Sequence, residues 1–181
     1  ADLMNTGFHV VTPNKKANTR ENAYYQTLRE TAQKTNRQFL YETTVGAGLP
    51  IISTVKSLED AGDDIKLIQG IFSGTLSYIF NTLTPDKKFS EVVAEAKANG
   101  YTEPDPRDDL SGVDVARKVT ILARECGLSL ELSDIPIESL VPEPLQNVES
   151  VDEFMQKLLS LREKQMASGT FEPQVLRNSA S

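Results

Sequence analysis

One cysteine and one histidine are all that the sequence offers of two residue types heavily used in metal and redox sites. Cys126 has no second thiol to pair with, which excludes an intrachain disulfide and fits a reducing compartment such as the cytoplasm. His9 alone cannot build the multi-histidine sites typical of zinc or iron. Positive charge is also scarce. Lys and Arg number 19 against 26 Asp and Glu, a net charge of −7, and such a chain disfavours a broad phosphate-binding surface, so no nucleic-acid partner is expected. No apolar run approaches the roughly 20 residues needed to span a bilayer, so a soluble chain without a membrane partner is expected. No charged segment followed by an apolar stretch opens the sequence, and no secretory signal is expected in it. Ala1 stands where a methionine is usual.

What is present reads as an ordinary globular chain, 39% hydrophobic and 25% charged, long enough for a sizeable core. His9 to Thr12 reads as a short strand ended by Pro13, which lacks a ladder donor. Tyr24, Leu28 and Ala32 recur at helical spacing over residues 21–36, and a second strand is expected from Phe39 to Thr44. Strand, helix and strand in that order predict an α/β unit. A glycine turn, Val45 to Pro50, then leads into a helix whose apolar face holds Ile51, Ile52, Val55 and Leu58, with the proline at its first position. Residues 65–72 alternate as a strand. Residues 74–83 and 89–98 read as helices, the second closed by Asn99-Gly100. After a proline-containing acidic loop, residues 101–110, Ser111 opens the most regular helix, which ends at Cys126-Gly127. A strand over residues 135–140, a helix over 151–162 and a polar tail, 166–181, complete the pattern. The fold class expected from this pattern is α/β to α+β.

Lys118 is the most informative single position. Its neighbours at three and four residues are Val115, Ile121, Leu122 and Asp114, so it sits on a largely apolar face beside one carboxylate. Burial of that amine favours its neutral form and the carboxylate its charged form, and both suit a proton-transfer group. The competing interpretation is a surface lysine in an i,i+4 ion pair, with Asp114 serving the capping box of a helix whose N-cap is Ser111. The loop around Glu103, Asp105, Arg107, Asp108 and Asp109 offers acceptors for a substrate ammonium or hydroxyl and can meet Lys118 across a pocket. Solvated surface and divalent-metal binding remain alternatives there. Val45 to Pro50 has two glycines and no third, so it is no dinucleotide fingerprint. Its carbonyls with Glu42 can ligate a hard cation, or the turn simply requires glycine. Lys15 and Lys16 can meet a phosphate or carboxylate, or stay solvated.

Four motifs, Thr12-Pro13-Asn14-Lys15-Lys16, Val45-Gly46-Ala47-Gly48-Leu49-Pro50, the stretch Gly70 to Phe80, and the stretch Gly100 to Lys118, together resemble homoserine dehydrogenase over residues 5–165. The likeness is greatest to the form fused to aspartate kinase in bacteria and plants, with fungal enzymes nearby. It implies reduction of aspartate 4-semialdehyde to homoserine with NADP or NAD, on the route to threonine, methionine and isoleucine. By motif, Lys118 is similar to the proton donor, and Lys15 to its partner lysine in the cofactor and substrate site. Glu103 and Asp114, with Asp109, Tyr101 and Thr75, resemble the substrate-binding residues. Thr12 and Gly100 join Lys15 on the cofactor. Glu42 with the carbonyls of Val45, Ala47 and Leu49 resembles a monovalent cation site, usually sodium. The resemblance further implies a homo-oligomer, fusion to a kinase in some members, and a plastid location for a plant protein. It implies the C-terminal remnant of a Rossmann domain followed by a mixed-sheet substrate-binding domain, and divides the chain at residues 1–44, the end of the dinucleotide domain; 45–165, the substrate and catalytic domain; and 166–181, a truncated or irregular tail. A G-x-G-x-x-G turn, expected in the family, is missing from the 181 residues. A non-catalytic fragment, or a module binding an amino acid or ion without turnover, is the rival expectation.

Overall fold

The computed structural model describes residues 1–160 and the backbone strand at residues 176–177. Its described residues form two units: residues 1–72, 115–136 and 176–177 make the first, and residues 73–114 and 137–160 the second.

The first unit opens with the four-residue helix α1 (Asp2–Asn5), then strand β1 (Val10–Val11), α2 (Lys16–Thr19), α3 (Asn22–Thr35) and β2 (Phe39–Leu40). β1 and β2 pair in parallel, Val10 opposite Phe39 and Val11 opposite Leu40, so the two helices form the crossover that a parallel pair requires. α3 ends as a left-handed cap at Asn36, φ 50°, and lays Tyr25 and Leu28 into the core. The α/β unit expected from the sequence is therefore present. Its second strand is shorter than residues 39–44: after Leu40 the chain turns into a 3-10 segment, Glu42–Thr44, whose Thr44 hydroxyl donates to the Tyr41 carbonyl at 2.7 Å. α4 (Ile51–Asp60) follows the glycine turn. Pro50 lies at its N-cap, one residue earlier than expected. β3 (Leu67–Ile68) pairs antiparallel with β4 (Leu176–Arg177). Apart from β4, the tail expected over residues 166–181 lies outside the described residues.

The long helix α8 (Val113–Glu125) contributes its residues from Val115 onward to this unit. Ile121 and Leu122 of α8 are buried with Tyr41, Val45, Ile52 and Val55, which welds the helix to the glycine turn and α4. Ser111 does not open α8 as its cap. It is instead the C-terminal cap of an additional short helix, and its hydroxyl accepts only a 3.4 Å bond from the Val113 amide. The strand expected over residues 135–140 is also absent. Leu132–Asp134 is a 3-10 turn, and Pro136 removes a ladder donor from the run that follows.

The second unit is helical: α5 (Gly74–Thr82), α6 (Phe89–Ala98), α7 (Pro106–Leu110) and α9 (Val151–Ser160). The Ser73 hydroxyl caps α5 by accepting from the Leu76 amide at 3.2 Å. α6 packs against α5 and α9, with Val92, Val93, Ala96, Ile79 and Phe154 fully buried. Gly100, φ 73°, lets the Tyr101 amide reach back to the Ala96 carbonyl at 2.9 Å, which stops α6 and sets the direction of the acidic loop.

Candidate functional site

The residues singled out in the sequence fall into two groups, one in each unit.

In the first unit, Lys15 follows the C-terminal end of β1, the side of an open parallel sheet where ligands bind. The turn carrying it is held by its own side chains. The Thr12 hydroxyl accepts from the Asn14 amide at 3.0 Å, and the Asn14 side chain accepts from the Lys16 amide at 2.8 Å. Thr12 is joined to β2 as well, its amide donating to the Leu40 carbonyl at 2.9 Å. Lys15 itself is half-buried.

Lys118 is half-buried on α8, and its amine donates to the Phe72 carbonyl at 2.6 Å. Val115 packs in a cluster with Ala116, Val119, Ile135 and Phe72, while Ile121 and Leu122 pack in the glycine-turn cluster, so the apolar face read from the sequence is real. Asp114 is a first-turn acid of the same helix, four residues earlier.

Glu42 has a structural task. Its two carboxylate oxygens accept from the Ile52 amide at 2.8 Å and the Ser53 amide at 3.0 Å, capping α4 from ten residues upstream. Between them the chain turns through two left-handed residues, Gly46 at φ 79° and Ala47 at φ 52°. A Cβ on Gly46 would stand 2.5 Å from the Ile51 side chain, so glycine is required both by conformation and by space. The Leu49 carbonyl accepts from the Ile51 amide at 2.9 Å.

In the second unit, Thr75, Tyr101, Glu103 and Asp109 come together around the acidic loop. The Thr75 hydroxyl stands 2.7 Å from the Tyr101 carbonyl and 2.9 Å from Asp109 Oδ1, while Asp109 Oδ2 accepts from the Glu103 amide at 2.7 Å. Both oxygens of Asp109 are thus engaged in folding the loop, and the Glu103 carboxylate is left exposed. Arg107 closes the other side through a bidentate pair with Asp105, Nε donating to Oδ1 at 2.9 Å and Nη2 to Oδ2 at 2.6 Å; these bonds, with the Arg107 amide and charge, outweigh the opposing effect of burial and leave the Asp105 carboxyl below its ordinary range. No group of three or more His, Cys, Asp or Glu suited to a metal ion exists among the described residues, so the divalent-metal alternative for this loop finds no support.

The sequence reading missed one cluster. Glu125, at the end of α8, has a side chain only 2% exposed. Its carboxylate accepts from the Tyr41 hydroxyl at 2.6 Å and the Tyr25 hydroxyl at 3.3 Å, pairs closely with Arg29, and lies 3.5 Å from the Lys56 ammonium. Burial, and then the negative charge of Glu125, push both phenols upward from their ordinary value. A signal did exist: positions 118, 121, 122 and 125 form one helical stripe, so an acid stood on the face predicted to be buried.

Comparison with known proteins gives the class first. Residues 1–42 match the family model described as the NAD binding domain of homoserine dehydrogenase, and residues 50–179 match the one described as homoserine dehydrogenase. The chain belongs to the homoserine dehydrogenase family. It is 61% identical over 157 residues to the chloroplastic bifunctional aspartokinase/homoserine dehydrogenase 2 of Arabidopsis thaliana, covering 87% of this chain and 17% of that protein. It is 52% identical over 159 residues to the homoserine dehydrogenase of Schizosaccharomyces pombe, covering 84% of this chain and 42% of that one. The chain therefore spans less than half the length of either relative. Among solved structures, a Candida auris protein of unknown function superposes with a TM-score of 0.80 at 45% identity, over 88% of this chain and 47% of that one. A hyperthermophilic archaeal homoserine dehydrogenase mutant in complex with NADPH superposes with a TM-score of 0.62 at 31% identity, over 68% and 38%. The α/β to α+β expectation agrees with these neighbours.

Proposed function

We propose that this chain serves the NAD(P)-dependent reduction of L-aspartate 4-semialdehyde to L-homoserine. The observation that carries the reading is Lys118: a half-buried amine beside the apolar Ile121 and Leu122 on its helix, fixed by the Phe72 carbonyl, in a chain of this family. A bound nicotinamide supplies the hydride that reduces the aldehyde carbon. Lys118 gives its proton to the aldehyde oxygen as the carbon–oxygen double bond opens, and solvent restores it. Lys15 is the partner lysine of that site. Glu103 and Asp114 hold the substrate ammonium, and Asp109, through Thr75 and Tyr101, fixes the loop that bears Glu103. The turn at Thr12 and Lys15, at the C-terminal end of β1, fits the nicotinamide end of the cofactor, and the backbone of Gly100 is a further cofactor-binding candidate. Pyrophosphate affinity depends on a glycine turn that these 181 residues do not contain.

Glu42 and the carbonyls of Val45, Ala47 and Leu49 fit a monovalent cation such as sodium. A carboxylate oxygen that accepts one amide bond keeps further lone pairs, and a turn with two left-handed residues takes its carbonyls out of any helical ladder. When bound, the ion supplies positive charge that holds the turn closed. Residues 1–44 would then end the dinucleotide domain and residues 45–165 form the substrate domain. The working protein is a homo-oligomer, alone or fused to aspartate kinase, located in the cytoplasm or, in a plant, the plastid. The test is an NADPH-oxidation assay with aspartate 4-semialdehyde on the product of the open reading frame that encodes this sequence. Turnover with that aldehyde is expected, and failure to discriminate it from simple aldehydes would refute the reading.

A further inference from the structure

Within the first unit, α8 carries Lys118 and Glu125 on one stripe. Seven residues separate them, which on an α-helix is about 10 Å along the axis and about 20° around it. Between them, Ile121 and Leu122 bury against Tyr41, Val45, Ile52 and Val55. Those apolar contacts hold the helix down but are non-directional, and tolerate small rotations and slides. Glu125 supplies the directional element. One carboxylate, almost wholly buried, is held by groups from three other elements: Arg29 and Tyr25 of α3, Tyr41 just after β2, and Lys56 of α4. Tyr41 is shared, since it belongs to the buried cluster that contains Ile121 and Leu122 while its hydroxyl donates to Glu125.

We infer that Glu125 is a positioning residue for Lys118: the buried Glu125–Tyr41–Arg29–Lys56 cluster fixes the rotation and register of α8, and so the place of the Lys118 amine against the Phe72 carbonyl. The inference rests on the proton-donor role proposed for Lys118. A displacement of about 1 Å at a reacting group can cost on the order of a hundredfold in rate, so a register lock two turns away bears directly on turnover.

The experiment compares Glu125→Gln, Glu125→Asp and the milder Tyr41→Phe with the parent protein by two readouts. The first is amine labelling of Lys118, followed by mass spectrometry on the full 181-residue chain, with Lys34 on the exposed end of α3 as internal reference. Lys118 is expected to label several-fold faster in Glu125→Gln and Tyr41→Phe, with Lys34 unchanged. The second is steady-state kinetics of the product of the encoding open reading frame. There kcat is expected to fall at least about tenfold in Glu125→Gln with KM for the aldehyde unchanged, and Glu125→Asp to restore part of it. Unchanged Lys118 labelling in Tyr41→Phe, folded with native circular dichroism, overturns the inference whatever the activity. Faster labelling in a protein whose parent shows no homoserine dehydrogenase turnover leaves the register lock standing and sinks the functional reading instead.

Discussion

The amine of Lys118 donates a 2.6 Å hydrogen bond to the backbone carbonyl of Phe72, joining α8 to the segment that follows β3. The bond is a modest contributor to stability, since an intramolecular hydrogen bond nets about 1 kcal/mol against its solvated alternatives. Lys118→Met, which keeps most of the stem, is therefore expected to remain folded and to lose about 1 kcal/mol. Urea unfolding checks this. A lower midpoint with unchanged slope is expected, and a changed slope would mean that the lysine does more structural work than one bond explains.

Asp109 is expected to act on the loop rather than on substrate. Its two oxygens face Thr75 and the Glu103 amide, so Asp109→Asn turns one acceptor into a donor aimed at a donor. Thr75→Val removes the hydroxyl that faces the other oxygen. Both variants should raise KM for the aldehyde more than they lower kcat, in parallel. Kinetics in which Asp109→Asn abolishes kcat while Thr75→Val is silent would show that Asp109 contacts the reacting groups itself.

Gly46→Ala should be among the costlier single substitutions. The left-handed conformation costs a side chain roughly 1–2 kcal/mol, before the 2.5 Å approach to Ile51 is counted. A fall in the thermal midpoint of several degrees is expected. The same melting experiment, run in sodium against choline chloride, tests the cation. Sodium should raise the midpoint of the parent chain, and Glu42→Gln should lose that increment along with the cap on α4.

Tyr25 and Tyr41 set an alkaline limit. Burial and Glu125 raise both phenols above their ordinary value of 10.0 in the folded protein. A group raised on folding contributes stability that is complete below its unfolded value and is lost as pH climbs towards its folded one. Stability should therefore decline above about pH 10. Ultraviolet difference titration should show these two phenols ionising only with unfolding. Tyr41→Phe, which removes one raised phenol, should lessen the pH dependence; an unaltered slope would contradict the burial assigned to it.

Much of this was legible in the sequence because helical spacing reports one face at a time. The stripe around Lys118, the Asn99-Gly100 stop of α6 and the βαβ order of the first 40 residues all depend on neighbours within a few positions. What escaped depends on distant partners. Nothing local marks Glu42 as the cap of a helix nine residues on, or gathers Tyr25, Arg29, Tyr41 and Lys56 around the Glu125 carboxylate. The expected strand over residues 135–140 failed on Pro136, a breaker that its apolar neighbours outweighed in the reading. α7 was hidden for the opposite reason: Pro106 looked like a loop residue but stands at the first turn of a helix capped by Asp105.

The proton-donor role of Lys118 is the central claim, and the kinetics of Lys118→Met measure it most directly, in the product of the open reading frame that encodes this sequence. The account predicts that kcat for aspartate 4-semialdehyde reduction falls by about 10² to 10⁴, while cofactor affinity is unchanged, because a proton donor acts in the transition state. A loss of less than about tenfold in a folded variant would contradict it, and would return Lys118 to the part of a helix-anchoring side chain bonded to Phe72.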